Sequence, residues 1–209
     1  MKKLLTILIV FSLFFGFAKA DSTTTNSTDD GGIRSLSATT PRYAFPAMTI
    51  LNNTPDLFQG FAKFVMPADP NGSGSTITKI TLSIYIKTDN GGKFDIHRMT
   101  RNGWTGSLAT WLTYDGSNNW TTAGGDYSAT IVNTLTPGGT GYKTSDILGG
   151  SATNSITATW GDTISLEYLD PDVYPIGGET DVYANSTHQE FLTITFTSPP
   201  TNAMGLAGD

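Results

Sequence analysis

The sequence predicts an all-β protein, an antiparallel β-sandwich of the jelly-roll type. Three observations lead there. Ile80, Leu82, Ile84 and Ile86 alternate with Lys79, Thr81, Ser83 and Lys87, a period of two that places one face in a core and the other in water. About eight such short runs recur along the chain, separated by turns rich in Gly, Asn, Asp and Pro. No amphipathic helix joins any two of them, which favours two antiparallel layers packed face to face.

The elements follow in order. Residues 1–20 read as a secretory signal peptide, with Lys2 and Lys3 ahead of an apolar run from Leu4 to Phe17 and the small-x-small site Ala18-Lys19-Ala20. That run is 14 residues, short of the roughly 20 that cross a bilayer. The expected product is therefore extracellular and has no membrane span. Removing Lys2, Lys3 and Lys19 leaves nine basic against 18 acidic residues, a charge of −9 that argues against nucleic acid as a partner. There is no cysteine, so stability must come from core burial, metal sites or assembly with neighbours rather than from cross-links.

Residues 21–42 are polar and aperiodic, and we expect a flexible N-terminal arm, either a plain linker or a strand that completes a neighbouring subunit's sheet. The sandwich is expected over residues 43–198. Tyr43 to Leu51 opens it, Asn52 to Asp56 turns, and Phe61 to Met66 is a short strand stopped by Pro67. After the alternating strand, Asp89-Asn90-Gly91-Gly92 is a hairpin-type turn, and Lys93 to Thr100 returns as a strand. Gly103 to Tyr127 is a long loop. Ser128 to Leu135 is β-branched strand, Pro137 to Gly141 a turn, and Ser145 to Leu148 a single helical turn. Ile156 to Trp160 and Thr163 to Tyr168 read as strands hinged at Gly161-Asp162, the second with Thr163, Ser165 and Glu167 on its wet face. An acidic, Gly-containing loop spans Asp170 to Asp181, Phe191 to Thr197 closes the domain, and residues 199–209 form a flexible tail.

Several of these motifs are familiar in that order: Phe61-Ala-Lys-Phe64 with Met66-Pro67, Ile77 to Ile86, Phe94 to Arg98, Gly103-Trp104, Ala109-Thr110-Trp111, and Phe191 to Phe196. The progression resembles the DNRLRE domain, the disaggregatase-related family, over roughly residues 43–198. The resemblance implies an extracellular jelly-roll sandwich similar to carbohydrate-binding modules, some relatives of which bind acidic polysaccharide. The last strand ends in Phe196 where the family more often has Tyr.

The tryptophan loop is the candidate site. Trp104, Trp111 and Trp120 fall within 17 residues at neither helical nor strand spacing. Pyranose C–H faces stack on Trp and Tyr while polar neighbours take the hydroxyls, so Trp104, Trp111, Tyr114, Trp120 and Tyr127 are candidate ligands of a polysaccharide or surface glycan. Arg98 and Arg101 are candidates for uronic acid carboxylates. The alternative for Trp104 and Trp111 is that they plug the end of the core; Trp120, flanked by Asn118, Asn119 and Thr121, is expected as the exposed platform. Asp115 with Asn118, and Asp170 with Asp172 and Asp181, place hard oxygens on loops and suit a structural Ca²⁺. Catalysis finds little support: His97 and Asp95 share an alternation class on one strand, expected to face solvent, with no nucleophile motif beside them. Two functions are thus expected in competition: a secreted, non-enzymatic glycan binder, and a self-associating structural subunit of an extracellular fibre or sheath built through the arm.

Overall fold

A computed structural model describes residues 19–43, 47–172, 180–182 and 188–199. Residues 1–18 of the expected signal peptide, residues 173–179 of the expected acidic loop and nearly all of the tail lie outside the described residues. Ten strands are present among them: β1 (Ala20–Arg34), β2 (Met48–Asn53), β3 (Asp56–Val65), β4 (Thr76–Asp89), β5 (Phe94–Met99), β6 (Tyr127–Leu135), β7 (Gly141–Leu148), β8 (Thr163–Leu169), β9 (Thr180–Val182) and β10 (Phe191–Thr197). A 3₁₀ turn, Ser35–Ser37, is the only helical element described. Every pairing is antiparallel, and the protein is an all-β sandwich of jelly-roll type.

Hydrogen bonds run continuously through β1-β10-β4-β9-β2-β3-β8-β5-β6, with β7 added on β4. Because β1 also pairs with β3, the path returns on itself and the sheet curls. One layer is built on β10, β4 and β7, the other on β3, β8, β5 and β6. Between them lies a core of Ile80, Leu82, Ile84 and Ile86 of β4, Phe64 of β3, Ile164, Leu166 and Tyr168 of β8, and Leu192 and Ile194 of β10. The inward residues of β4 are those its alternation marks.

Three expectations are corrected. The flexible arm is instead β1 from Ala20 to Arg34, whose first half pairs with β10 and whose second half pairs with β3 across a register shift at Ser27/Asp29. It shows no apolar period because backbone ladders hold it: no β1 residue belongs to the main core. The helical turn expected at Ser145 to Leu148 is the end of β7, paired with β4. Ile156 to Trp160, expected as a strand, is irregular, although Ile156 is buried and its amide bonds the Ile147 carbonyl at 2.9 Å.

A second hydrophobic cluster lies on the far side of β3, β8 and β5. Ile33, Phe61, Met99, Trp104, Ala109 and Trp120 form it, with Trp111 and Tyr114 packed against it. The tryptophan loop is thus folded down on the outer face of one layer, so β8 is buried on both faces from Ile164 to Tyr168. The expected wet face of β8 and β5 is therefore covered, and Glu167, Ser165, His97 and Asp95 are all buried.

Candidate functional site

The loop owes its shape to a few polar anchors set among large rings. Phe61 meets Trp104 edge-on at 4.7 Å and Trp120 at 6.4 Å. The Trp120 indole N–H donates to the Thr110 carbonyl at 2.9 Å, and Lys63 lies over the Trp104 ring while donating to the Trp104 carbonyl. Asp126 gathers the loop's end: one carboxylate oxygen accepts from the amides of Thr121 and Thr122, the other from Arg101 Nε at 2.8 Å and the Thr121 hydroxyl. Burial raises its pKa, but the bonds from Arg101, Thr122 and Thr121 outweigh this and hold it below the usual carboxylate range.

The expected ligands fare differently. Trp104 and Trp120 are 1% and 5% exposed, so the platform expected at Trp120 is instead an internal prop. Trp111 and Tyr114 are half-buried, and Tyr127 is exposed beside His97. Arg98 is half-buried, donating from Nη2 to the Thr163 carbonyl at 2.9 Å while its Nη1 is buried without a partner, and Arg101 is committed to Asp126 while its guanidinium stacks over Tyr114. Asp95 and His97 do not meet: Asp95 accepts from the Thr134 hydroxyl, and His97 Nδ1 pairs with the Ser128 carbonyl at 2.9 Å.

What the loop leaves open is a groove of about 300 Å³ on its outer side. Leu108, Leu112 and Pro41 supply apolar wall; Thr39, Thr113 and Asn119 supply polar groups. Leu108 and Leu112 are 48% and 41% exposed, unusual for leucines on a loop that buries its indoles. Composition gave no sign of it, since its walls come from segments about seventy residues apart.

The expected metal ligands are engaged locally. Asp115 accepts from the amides of Ser117 and Asn118 and from the Asn118 side chain, the last being the largest of the effects that lower its pKa. Asp170 accepts from the amides of Asp172 and Asn52, Asp172 pairs with Lys93 at 3.3 Å, and Asp181 falls on β9. Among the described residues no three His, Asp or Glu side chains gather around one position.

Two features have no counterpart in the sequence reading. Tyr85, Tyr142, His188 and Phe191 form an aromatic patch on the outer face of the other layer, with Tyr85 stacked on His188 at 3.7 Å and Tyr142 edge-on to Tyr85 at 5.2 Å. Tyr85 falls in the polar alternation class of β4, which was a usable signal. The second feature is a set of buried acids. Asp30 and Glu190 lie by Tyr168, whose hydroxyl donates to Glu190 Oε2 at 3.1 Å, and Glu167 lies beneath the tryptophan loop.

No known family model matches the chain, and no curated protein matches it by sequence.

Proposed function

We propose that this protein is an extracellular, non-catalytic sandwich of DNRLRE-like kind that binds polysaccharide in the groove beside the tryptophan loop. The observation that carries the reading is the pair of half-exposed leucines, Leu108 and Leu112, facing Thr39, Thr113 and Asn119 across about 300 Å³. Apolar walls match the C–H faces of a sugar, and hydroxyl and amide groups at their edge match its hydroxyls. The buried indoles act indirectly, holding the groove on a rigid support. With Arg98 and Arg101 directed to Thr163 and Asp126, and an acidic chain overall, neutral polymers suit the groove better than uronic acids. Affinity electrophoresis on neutral and acidic polymers tests this. Retardation is expected on a neutral polymer, weakened about tenfold or more by Leu112→Glu or Asn119→Ala and unchanged by Tyr142→Ser. No retardation on any polymer sinks the reading.

One observation favours a second reading, a self-assembling subunit. β1 spans both layers, adds no side chain to the main core, and would leave β10 and β3 each with an open edge if it moved to a second copy. Light scattering and negative-stain microscopy of the chain with and without residues 21–34 test it. Single particles of one size for the full chain at all concentrations would remove this alternative.

A further inference from the structure

Two buried carboxyl groups lie close together where β1 passes from one layer to the other. Asp30, just past the register shift at Ser27/Asp29, is paired with Ala62 of β3 and shares its face of the sheet, at the rim of the main core. Glu190 stands just ahead of β10, and its carbonyl accepts from the Ser27 amide at 2.8 Å, so it belongs to the same crossing. Its Oε2 accepts from the Tyr168 hydroxyl at 3.1 Å, while Oε1 is buried without a hydrogen bond. Asp30 is 6% exposed and Glu190 is fully buried.

Among the described residues no basic side chain offsets this pair. On β1 the neighbour is a third acid, Asp29, whose charge adds to the burial that pushes Asp30 up to about 7. On β3, Lys63 is directed to Asp29 and to the Trp104 carbonyl. On β8, Tyr168 meets Glu190, and Glu167 lies on the other face, beneath the tryptophan loop. His188, two residues before Glu190, is stacked on Tyr85. β2 and β10 carry no titratable side chain. Protonated, the crossing is neutral; as pH rises, like charges accumulate in a dry space with no counter-charge. Water relieves them, and β1 can carry Asp30 to water without opening the main core.

The second half of β1 is also what the tryptophan loop and the groove rest on. Asp29 accepts from the Gly106 amide at 3.1 Å, and Gly106 packs so closely on the Asp30 carbonyl that a Cβ there would overlap it. Ile33 packs in the cluster of Trp104 and Trp120. Beyond it the Ala38 carbonyl accepts from the Leu112 amide at 3.3 Å, and Thr39 and Pro41 form one side of the groove. We propose that Asp30 and Glu190 are a proton-operated latch, which holds β1 on β3 while protonated and, once ionised, frees residues 29–41 and dismantles the groove wall. The groove is thus complete at mildly acidic pH and opened at alkaline pH. The latch stands on these contacts alone, whereas its effect on a bound polymer rests on the glycan reading above.

Hydrogen exchange of the full chain from pH 5 to pH 8, read by peptide mass spectrometry and corrected for the intrinsic rate at each pH, tests the latch. Protection of residues 27–34 is expected to fall about 100-fold or more over that range, since each proton released shifts the opening by up to about tenfold per pH unit. β4 should stay better protected than β1 at every pH. Asp30→Asn should reduce the fall, and Asp30→Asn with Glu190→Gln should flatten it to within about threefold. Protection that does not change with pH in the wild type, a full response in the double variant, or equal protection of β1 and β4 at pH 8 overturns the latch. Should the double variant not fold, a full wild-type response in Asp30→Asn does the same. Affinity electrophoresis on the neutral polymer at pH 6 and pH 8 tests the coupling: retardation should weaken at pH 8 in the wild type and not in the double variant. Equal retardation at both pH values by a chain whose β1 has opened overturns the coupling. Protection that follows pH in a chain that no polymer retards upholds the latch and removes the glycan reading.

Discussion

Asp126 closes the tryptophan loop onto its own start. Its carboxylate accepts from Thr121, Thr122 and Arg101, and its carbonyl accepts from Thr100. Asp126→Asn keeps the shape but turns charge-assisted acceptors into a neutral amide, one side of which must face donors. We expect a loss of about 2 kcal/mol, read as a lower urea midpoint with unchanged slope. An unchanged midpoint would mean that the loop is held by its rings alone. Single residues were the least legible level of the sequence. Trp120 stands between Asn119 and Thr121 and reads as exposed, yet burial is decided by where the loop lands, and it lands on Phe61. Glu167 misled for the same reason: its alternation with Leu166 and Tyr168 is real, but both faces of its strand are covered.

The elements show where neighbour chemistry leaves a mark. Gly31 of β1 sits against the Phe61 ring, and a Cβ there would be 3.0 Å from the ring and 3.2 Å from Gly106 Cα. Gly31→Val should therefore push the tryptophan loop off β1 and cost about 1–3 kcal/mol, whereas Ser22→Val on the exposed side of the same strand should cost little. Equal midpoints for the two variants in urea would refute the close approach. Strands whose one face is core and whose other face is wet, β4 and β10, were plain in the sequence because alternation is a local signal. β1 was not, because a strand rich in Thr, Ser and Asp that is held by backbone bonds has no apolar rhythm. β7 was mistaken for helix over Ser145 to Leu148, since its pairing with β4 is information from elsewhere in the chain.

Across the whole molecule, acids buried near β1 set the response to pH. Asp30 is pushed up to about 7 by burial and by the charge of Asp29, and Glu190 is pushed well above its ordinary range by burial and by Asp30, against the opposing bond from Tyr168. Their folded-state pKa values lie above the unfolded ones. Their contribution to stability is thus complete below about pH 4, declines as pH rises, and for Asp30 is gone beyond about 7. Asp146 has the opposite sign: burial raises it, but bonds from Ser151, Thr81 and Lys79 bring it down to about 2, so its contribution is lost as pH falls from about 4 towards 2. The melting temperature should accordingly be higher at pH 5 than at pH 8, and Asp30→Asn should flatten the decline between them. A melting temperature that rises from pH 5 to pH 8 would contradict the arrangement of these acids. The all-β class was legible at this scale, because class follows from the sum of many local alternations; the covering of one layer by a returning loop was not.

β1 is bonded along one half to β10 and along the other to β3, yet no methyl or ring of it enters the main interior. It resembles a zip fastener with two seams and no stitching into the cloth. Deuterium should therefore replace its amide protons on both halves at one shared rate, well ahead of those of β4, since peeling either seam frees the other.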